Sequence, residues 1–302
     1  MKGLLQRYIT YLKIERNASP ATLSSYKPEL EKFLLYLFRN DIEDIRDVTV
    51  SRIREYIYKI KEERNLSSVS TYTKIAILKS FFNFLQSDGI INENPASRIK
   101  LPRRERPTPK VVPEADFKRL ISCIKFAHPR CRKHYTRDML IFNILYYCGL
   151  RKGELLALDW DDIDLEKDIL TVRSSKNKTG RIIPIHPEVK GLLDLYLTQR
   201  LPLSNRALLI GEMGNRLCKA TFTNMLNTYL KISGLKKKGY SAHSLRHSFA
   251  TRLIENNVNL FLIQRLLGHR SLDATKVYVH FDKNSFTDAI KSLWFNIEFH
   301  IW

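Results

Sequence analysis

The sequence predicts a mainly α protein of two domains. The first is an N-terminal bundle of four helices; the second is mixed α/β but mostly helical, with one small antiparallel sheet. Three observations carry this. Through the first hundred residues apolar side chains recur at helical spacing. Residues 98–110, Arg-Ile-Lys-Leu-Pro-Arg-Arg-Glu-Arg-Pro-Thr-Pro-Lys, contain three prolines and six basic residues, the composition of an extended, semi-rigid linker. Two β-rich runs follow, Ile169 to Arg173 and Arg181 to Ile185, joined by the basic tip Ser174 to Gly180, and together they read as a hairpin. The expected boundaries are 1–97, 98–110 and 111–302.

The elements follow in order. Leu4, Leu5, Tyr8, Ile9 and Leu12 mark a first helix. Asn17-Ala18-Ser19-Pro20 offers a cap followed by proline at the first helical position. Leu23, Tyr26, Leu30, Phe33, Leu34, Leu37 and Phe38 form the next stripe, and Pro28 inside it should kink the helix or mark a late start. Thr49 is placed to cap a third helix around Ile53, Tyr56, Ile57 and Ile60. Ser67 or Ser68 is placed to cap a fourth around Leu78, Phe81, Phe82 and Leu85, which Gly89 and Asn94-Pro95 end. Beyond the linker, helical patterns cover about 113–125, 135–148 and 151–158. Asp159 to Asp168 reads as an exposed acidic turn, and everything after Pro187 reads as helix with stops at Gly234, Gly239 and Gly268. Phe286, Ile290, Leu293, Trp294 and Ile297 make a last amphipathic helix over 284–297.

Composition narrows function. The 302 residues are 44% hydrophobic and 27% charged, which excludes global disorder and leaves a core to bury. No apolar run approaches the roughly 18 residues of a membrane span, and no secretory segment opens the chain, so a cytoplasmic protein without membrane partners is expected. Four cysteines, at 123, 131, 148 and 218, fit no metal spacing and read as reduced, mostly buried thiols. The net charge of +20 points to a polyanionic partner, with nucleic acid foremost. Positive charge is densest in residues 100–110, with five basic and one acidic residue, as suits a path along a phosphate backbone.

Four short segments carry candidate chemistry: Gly149-Leu150-Arg151-Lys152-Gly153-Glu154-Leu155; Lys176 in the hairpin tip; His243-Ser244-Leu245-Arg246-His247; and Leu267-Gly268-His269, followed nine residues on by Tyr278. Each is weak alone. In this order they resemble the tyrosine recombinase family of phage integrases and Xer proteins, whose pattern is GLRxxEL, a hairpin lysine, HxLRH, LGH and then Tyr. The first domain is similar to that family's SAM-like core-binding domain through Ser19-Pro20-Ala21-Thr22-Leu23 with Tyr26, and through Phe81-Phe82-Asn83-Phe84-Leu85 before Asn94-Pro95.

The resemblance implies a site-specific recombinase that cuts and rejoins double-stranded DNA through a 3′-phosphotyrosine, without ATP, metal or other cofactor. It implies Tyr278 as nucleophile, Arg151, Arg246 and His269 around the phosphate, His243 as base and Lys176, rather than Lys178, as the acid. It also implies inverted half-sites and a homo- or hetero-tetramer on two DNAs; the C-terminal helix is expected either to be exchanged between protomers, as the resemblance implies, or to fold back on its own domain. The chemistry is sensible in itself. A phosphodiester is anionic, so its pentavalent transition state needs planar, permanently charged donors around the non-bridging oxygens. His243 and His247 stand four apart as zinc ligands can, but Arg246 beside them would repel a cation. Glu154 is expected to hold Arg151 or its own backbone rather than to react. Asp159, Asp161, Asp162 and Asp164 superficially resemble a metal cluster, and Lys236-Lys237-Lys238 is equally a phosphate-contacting loop or a solvated one.

Overall fold

The computed structural model describes residues 1–102, 108–127, 132–173, 180–202 and 204–268. The chain divides into two compact units, Met1–Pro107 and Thr108–Trp302.

The first unit holds α1 (Lys2–Ile14), α2 (Pro20–Phe38), α3 (Val50–Glu63) and α4 (Ser68–Ser87), with a 3-10 turn at Ile45–Asp47. Local chemistry sets each start. The Ser19 hydroxyl accepts from the Thr22 N–H, Thr49 from Arg52 and Ser67 from Ser70, each satisfying an amide that the first turn leaves unpaired. Pro28 does not mark a late start, since α2 begins at Pro20 and runs past it. Burial of the surrounding stripe offsets the one helical hydrogen bond that proline removes: Leu30, Phe33 and Leu37 are fully buried. They pack with Tyr8, Ile53, Phe81, Phe82 and Leu85 in one core. Ile99 also belongs to that core, and Lys79 Nζ donates to the Ser97 and Ile99 carbonyls, so the start of the 98–110 segment is held by the first unit. Arg103, Arg104 and Arg106 lie outside the described residues.

The second unit has α5 (Glu114–Ala127), α6 (Arg132–Asn143), one π-helical turn (Ile144–Cys148), α7 (Lys152–Ala157), β1 (Ile163–Asp164), β2 (Ile169–Val172), β3 (Arg181–Pro184), α8 (Pro187–Arg200), α9 (Lys219–Ile232), α10 (Ala242–Glu255) and α11 (Leu260–Leu267). The three strands form an antiparallel sheet ordered β1-β2-β3, with Leu170 opposite Ile163 on one side and Ile183 on the other. The core runs from α5 and α6 through this sheet to α9 and α10.

Three expectations change. The acidic segment contributes β1 and is not a wholly exposed turn: Asp159 and Asp162 are buried. The four aspartates of the apparent cluster each have a cation, Asp159 with Arg216, Asp161 with Arg206, Asp162 with Arg173 and Asp164 with Lys167, so it is a capped turn pinned by ion pairs. Residues 201–217 are not helical. Pro202, Asn205, Gly211 and Gly214 break the helix there, and the segment instead makes short bridges, Asp159 to Ala207 and Ile210 to Arg216. Arg200, buried at the end of α8, holds it by donating to the carbonyls of Asn205, Ala207 and Leu208. Of the thiols described, only Cys148 is buried; Cys218 is exposed, where it caps α9 through the Thr221 N–H. The expected helix 284–297 lies outside the described residues.

Candidate active site

The site begins at a glycine. Gly149 ends the π turn at φ +63°, and a Cβ there would stand 2.2 Å from Cδ1 of Phe249. Only glycine combines that backbone angle with so close an approach of α10. The reversal delivers Arg151 to the N-cap of α7, where Glu154 closes back on it. Glu154 Oε2 accepts the Arg151 N–H at 2.8 Å, and Oε1 accepts Arg151 Nη1 at 2.7 Å. Glu154 therefore serves both the side chain and the backbone of Arg151. The other terminal nitrogen of Arg151, Nη2, donates to the Gly268 carbonyl at 3.0 Å.

The second guanidinium comes from α10. Ser241 and Ser244 form a reciprocal capping box at its start, and His243 and Arg246 follow within the first two turns. Arg246 is only 4% exposed. It donates to the Gly149 carbonyl at 2.8 Å and to the Leu267 carbonyl, and its Nη1 lies 3.6 Å from Glu154 Oε2. Two arginines far apart in sequence thus meet beside one carboxylate and the end of α11.

A third arginine was not foreseen. Arg181, the first residue of β3, donates to Glu154 Oε1 at 3.0 Å and Oε2 at 2.7 Å, and through Nε to the Leu266 carbonyl at 2.7 Å. One signal was available. Arg181 shares its strand face with the buried Ile183, and a charge on an inward face implies a buried partner.

Charge distribution sets the protonation states. Burial alone would raise the Glu154 pKa, but the bonds from Arg181 and from the Arg151 backbone and side chain overcome it and hold the carboxyl at about 2, against an ordinary 4.5. A carboxyl with a depressed folded pKa contributes stability in full above its unfolded pKa and loses it as the pH falls toward the folded one. The expected contribution is on the order of 3 kcal/mol, lost between about pH 4.5 and 2. In acid titrations followed by circular dichroism, Glu154→Gln should be less stable at neutral pH and show a flatter profile below about pH 4.5. An unchanged slope would assign the acid sensitivity elsewhere.

His243 is held below the ordinary histidine range by partial desolvation and by the charges of Arg246, Lys152 and Arg151, so it is a neutral imidazole at neutral pH. His247, one turn on, is pushed down to about 4 by burial, His243 and Arg246. Lys236–Lys238 form a 3-10 turn closed by Gly239, with Lys238 Nζ paired to Asp116 at 2.5 Å. Lys176, Lys178, His269 and Tyr278 lie outside the described residues. The structure thus brings Arg151, Arg246 and His243 into one region, and α11 ends at Leu267, with Gly268 as its cap immediately before His269.

This fold and arginine-lined site define a class. The family model "Phage integrase family" matches residues 110–285, and that of its N-terminal SAM-like domain matches residues 5–89. The chain belongs to the phage integrase family of tyrosine recombinases, enzymes that cleave and rejoin DNA in site-specific recombination. It is 34% identical to a tyrosine recombinase of Pseudothermotoga lettingae, over 97% of this chain and 99% of that one. It is 31% identical to the tyrosine recombinase XerD of Listeria monocytogenes, over 96% and 98% respectively. The fold matches that of the XerH site-specific recombinase, solved bound to a palindromic difH substrate, with a TM-score of 0.73 at 24% identity over 96% of this chain and 84% of that one. Among the described residues no helix is long and apolar enough to cross a membrane.

Proposed function

We propose that Arg151 and Arg246 receive the non-bridging oxygens of a scissile DNA phosphate and that Tyr278 attacks its phosphorus. The observation that carries this reading is the convergence of the two guanidiniums on Glu154 and the end of α11, with His243 one turn before Arg246 on α10. Permanently charged, planar donors fixed before substrate arrives stabilise charge as it develops on phosphate.

The step balances without a cofactor. The Tyr278 oxygen forms a bond to phosphorus and gives its proton to His243. The bond from phosphorus to the 5′-oxygen of the sugar breaks, and Lys176 protonates the leaving oxygen. His269 adds a hydrogen bond to the phosphate. The products are a 3′-phosphotyrosine and a free 5′-hydroxyl, and the reverse step rejoins the strand without ATP. Residues 1–97 act as the core-binding domain on DNA and residues 111–302 as the catalytic domain, while the basic segment between them follows the phosphate backbone. A protein that binds as a two-fold dimer reads inverted half-sites; two such complexes, of one or two kinds of subunit, pair as a tetramer, with helix 284–297 exchanged between protomers. The enzyme acts in the cytoplasm, in integration and excision of mobile DNA or in resolution of chromosome dimers.

A nicked suicide duplex tests the class of chemistry. Incubated with the protein in EDTA, it should accumulate a covalent protein–DNA adduct, seen on a denaturing gel and removed by protease. Cleavage that needs an added divalent ion and leaves no adduct would replace this reading with that of a metal-dependent nuclease.

A further inference from the structure

A helix leaves its last carbonyls without partners inside the helix. At the end of α11 the Gly268 N–H serves Gln264 and Arg265. The next three carbonyls in order are each taken by a guanidinium: Leu266 by Arg181, Leu267 by Arg246 and Gly268 by Arg151. The same three arginines face Glu154. Arg181 is the one that no step of the proposed reaction uses, yet its side chain is only 16% exposed and makes three bonds, to both Glu154 oxygens and to Leu266. Gly268 makes room for it, since a Cβ there would lie 2.9 Å from Arg181 Nη1.

We propose that Arg181 is a positioning residue for DNA cleavage: by saturating Glu154 and tying down the last turn of α11, it keeps the guanidiniums of Arg151 and Arg246 directed at the phosphate. The inference rests on the phosphate-binding role proposed for those two residues.

The argument is one of counting acceptors. A carboxylate offers about four lone-pair sites. Arg181 fills one on each oxygen, and the Arg151 backbone and side chain fill the other two. Arg246, at 3.6 Å, is held nearby but not captured. Without Arg181, two lone-pair sites open beside Arg246 and Arg151. Either one can then turn into a two-pronged pair with Glu154, which withdraws N–H groups from the phosphate. The Leu266 carbonyl also loses its donor, and the turn that presents the Leu267 and Gly268 carbonyls loses an anchor. Lysine cannot replace this function fully, because one ammonium does not span both carboxylate oxygens and a carbonyl as a planar fork does.

The test uses the full-length protein and half-site DNA carrying one of three scissile groups. These are the ordinary phosphodiester, a methylphosphonate that lacks the non-bridging negative charge, and a phosphorothiolate with sulfur at the 5′-bridging position. Arg181→Gln should bind half-sites as the native protein does and cleave the phosphodiester about 10- to 100-fold more slowly, the usual effect of removing a partner that orients a reacting group. Its deficit should shrink on the methylphosphonate, as that of Arg151→Ala should, and persist on the phosphorothiolate. Arg181→Lys should fall between Arg181→Gln and the native enzyme and follow the same substrate pattern. If circular dichroism shows Arg181→Gln unfolded, Arg181→Lys carries the comparison.

Equal deficits on all three substrates would reduce Arg181 to a fold-stabilising residue and overturn the proposal. Relief by the phosphorothiolate would overturn it in favour of a role on the leaving-group side. If methylphosphonate relieves Arg151→Ala but neither Arg181 variant, only this inference fails. If it does not relieve Arg151→Ala, the phosphate-binding reading itself fails, and this inference with it.

Discussion

Tyr278→Phe should bind target DNA as tightly as the native enzyme and form no covalent adduct. The substitution removes one oxygen and keeps the ring, so packing and charge are unchanged while the bond to phosphorus cannot form. The loss should be complete on the suicide duplex, with gel-shift affinity as the control. A protease-sensitive adduct persisting in the variant would move the nucleophile to another tyrosine. The structure ranks the alternatives poorly. Tyr229 donates its hydroxyl to Asp138, and Tyr240 donates to Asp116 Oδ2 at 2.6 Å. Burial first, and then the facing carboxylate, pushes both phenols above their ordinary range. The anionic carboxylate beside each phenol would repel an incoming phosphate, so neither is a good candidate for the attacking group.

Lys176→Ala should slow cleavage of ordinary DNA by about 10²–10⁴-fold, the range for loss of a general acid. A 5′-sulfur leaves without needing that proton, so the bridging phosphorothiolate should restore most of the rate to this variant. Lys178→Ala should be nearly silent on both substrates. Failure of the sulfur substrate to rescue Lys176→Ala, or stronger rescue of Lys178→Ala, would reassign the acid. The outcome also separates the two sides of the reaction, since a defect in phosphate binding is not repaired by a better leaving group.

Sequence alone disclosed the parts of this molecule that depend on local chemistry. Ser19, Thr49 and Ser67 cap the helices their positions imply, because a hydroxyl three residues before an unpaired amide needs no tertiary context. The apolar stripes likewise mark the buried faces of α2, α3 and α4. What was missed depends on contacts between distant segments. β1 is two residues long and exists only because β2 lies beside it. Asp159 and Asp162 look solvated until Arg216 and Arg173 arrive from elsewhere in the chain. Within the site, the ordered motifs drew attention to Arg151, His243 and Arg246 through their resemblance to a family. Arg181 sits in no such motif, and only its inward place on a short strand hinted at it. Its significance required knowing that Glu154 and the end of α11 lie against it.

The carbonyls that close α11 have a bearing on reversibility. Strand cleavage of the proposed kind exchanges one phosphodiester for another with little net change in bond energy, so the forward and return reactions run along the same path. A receptor assembled by the substrate would dissolve when the product drifts away, and the return would begin from a disordered state. Here the guanidiniums of Arg151 and Arg246 are oriented by Gly268, Leu267, Gly149 and Glu154, all of which belong to the folded chain. These contacts lie wholly within the protein and require no DNA to form. In the proposed reaction, an enzyme built this way would hold a broken strand and an intact one on equal terms, and the DNA partners brought to it would decide the direction of exchange.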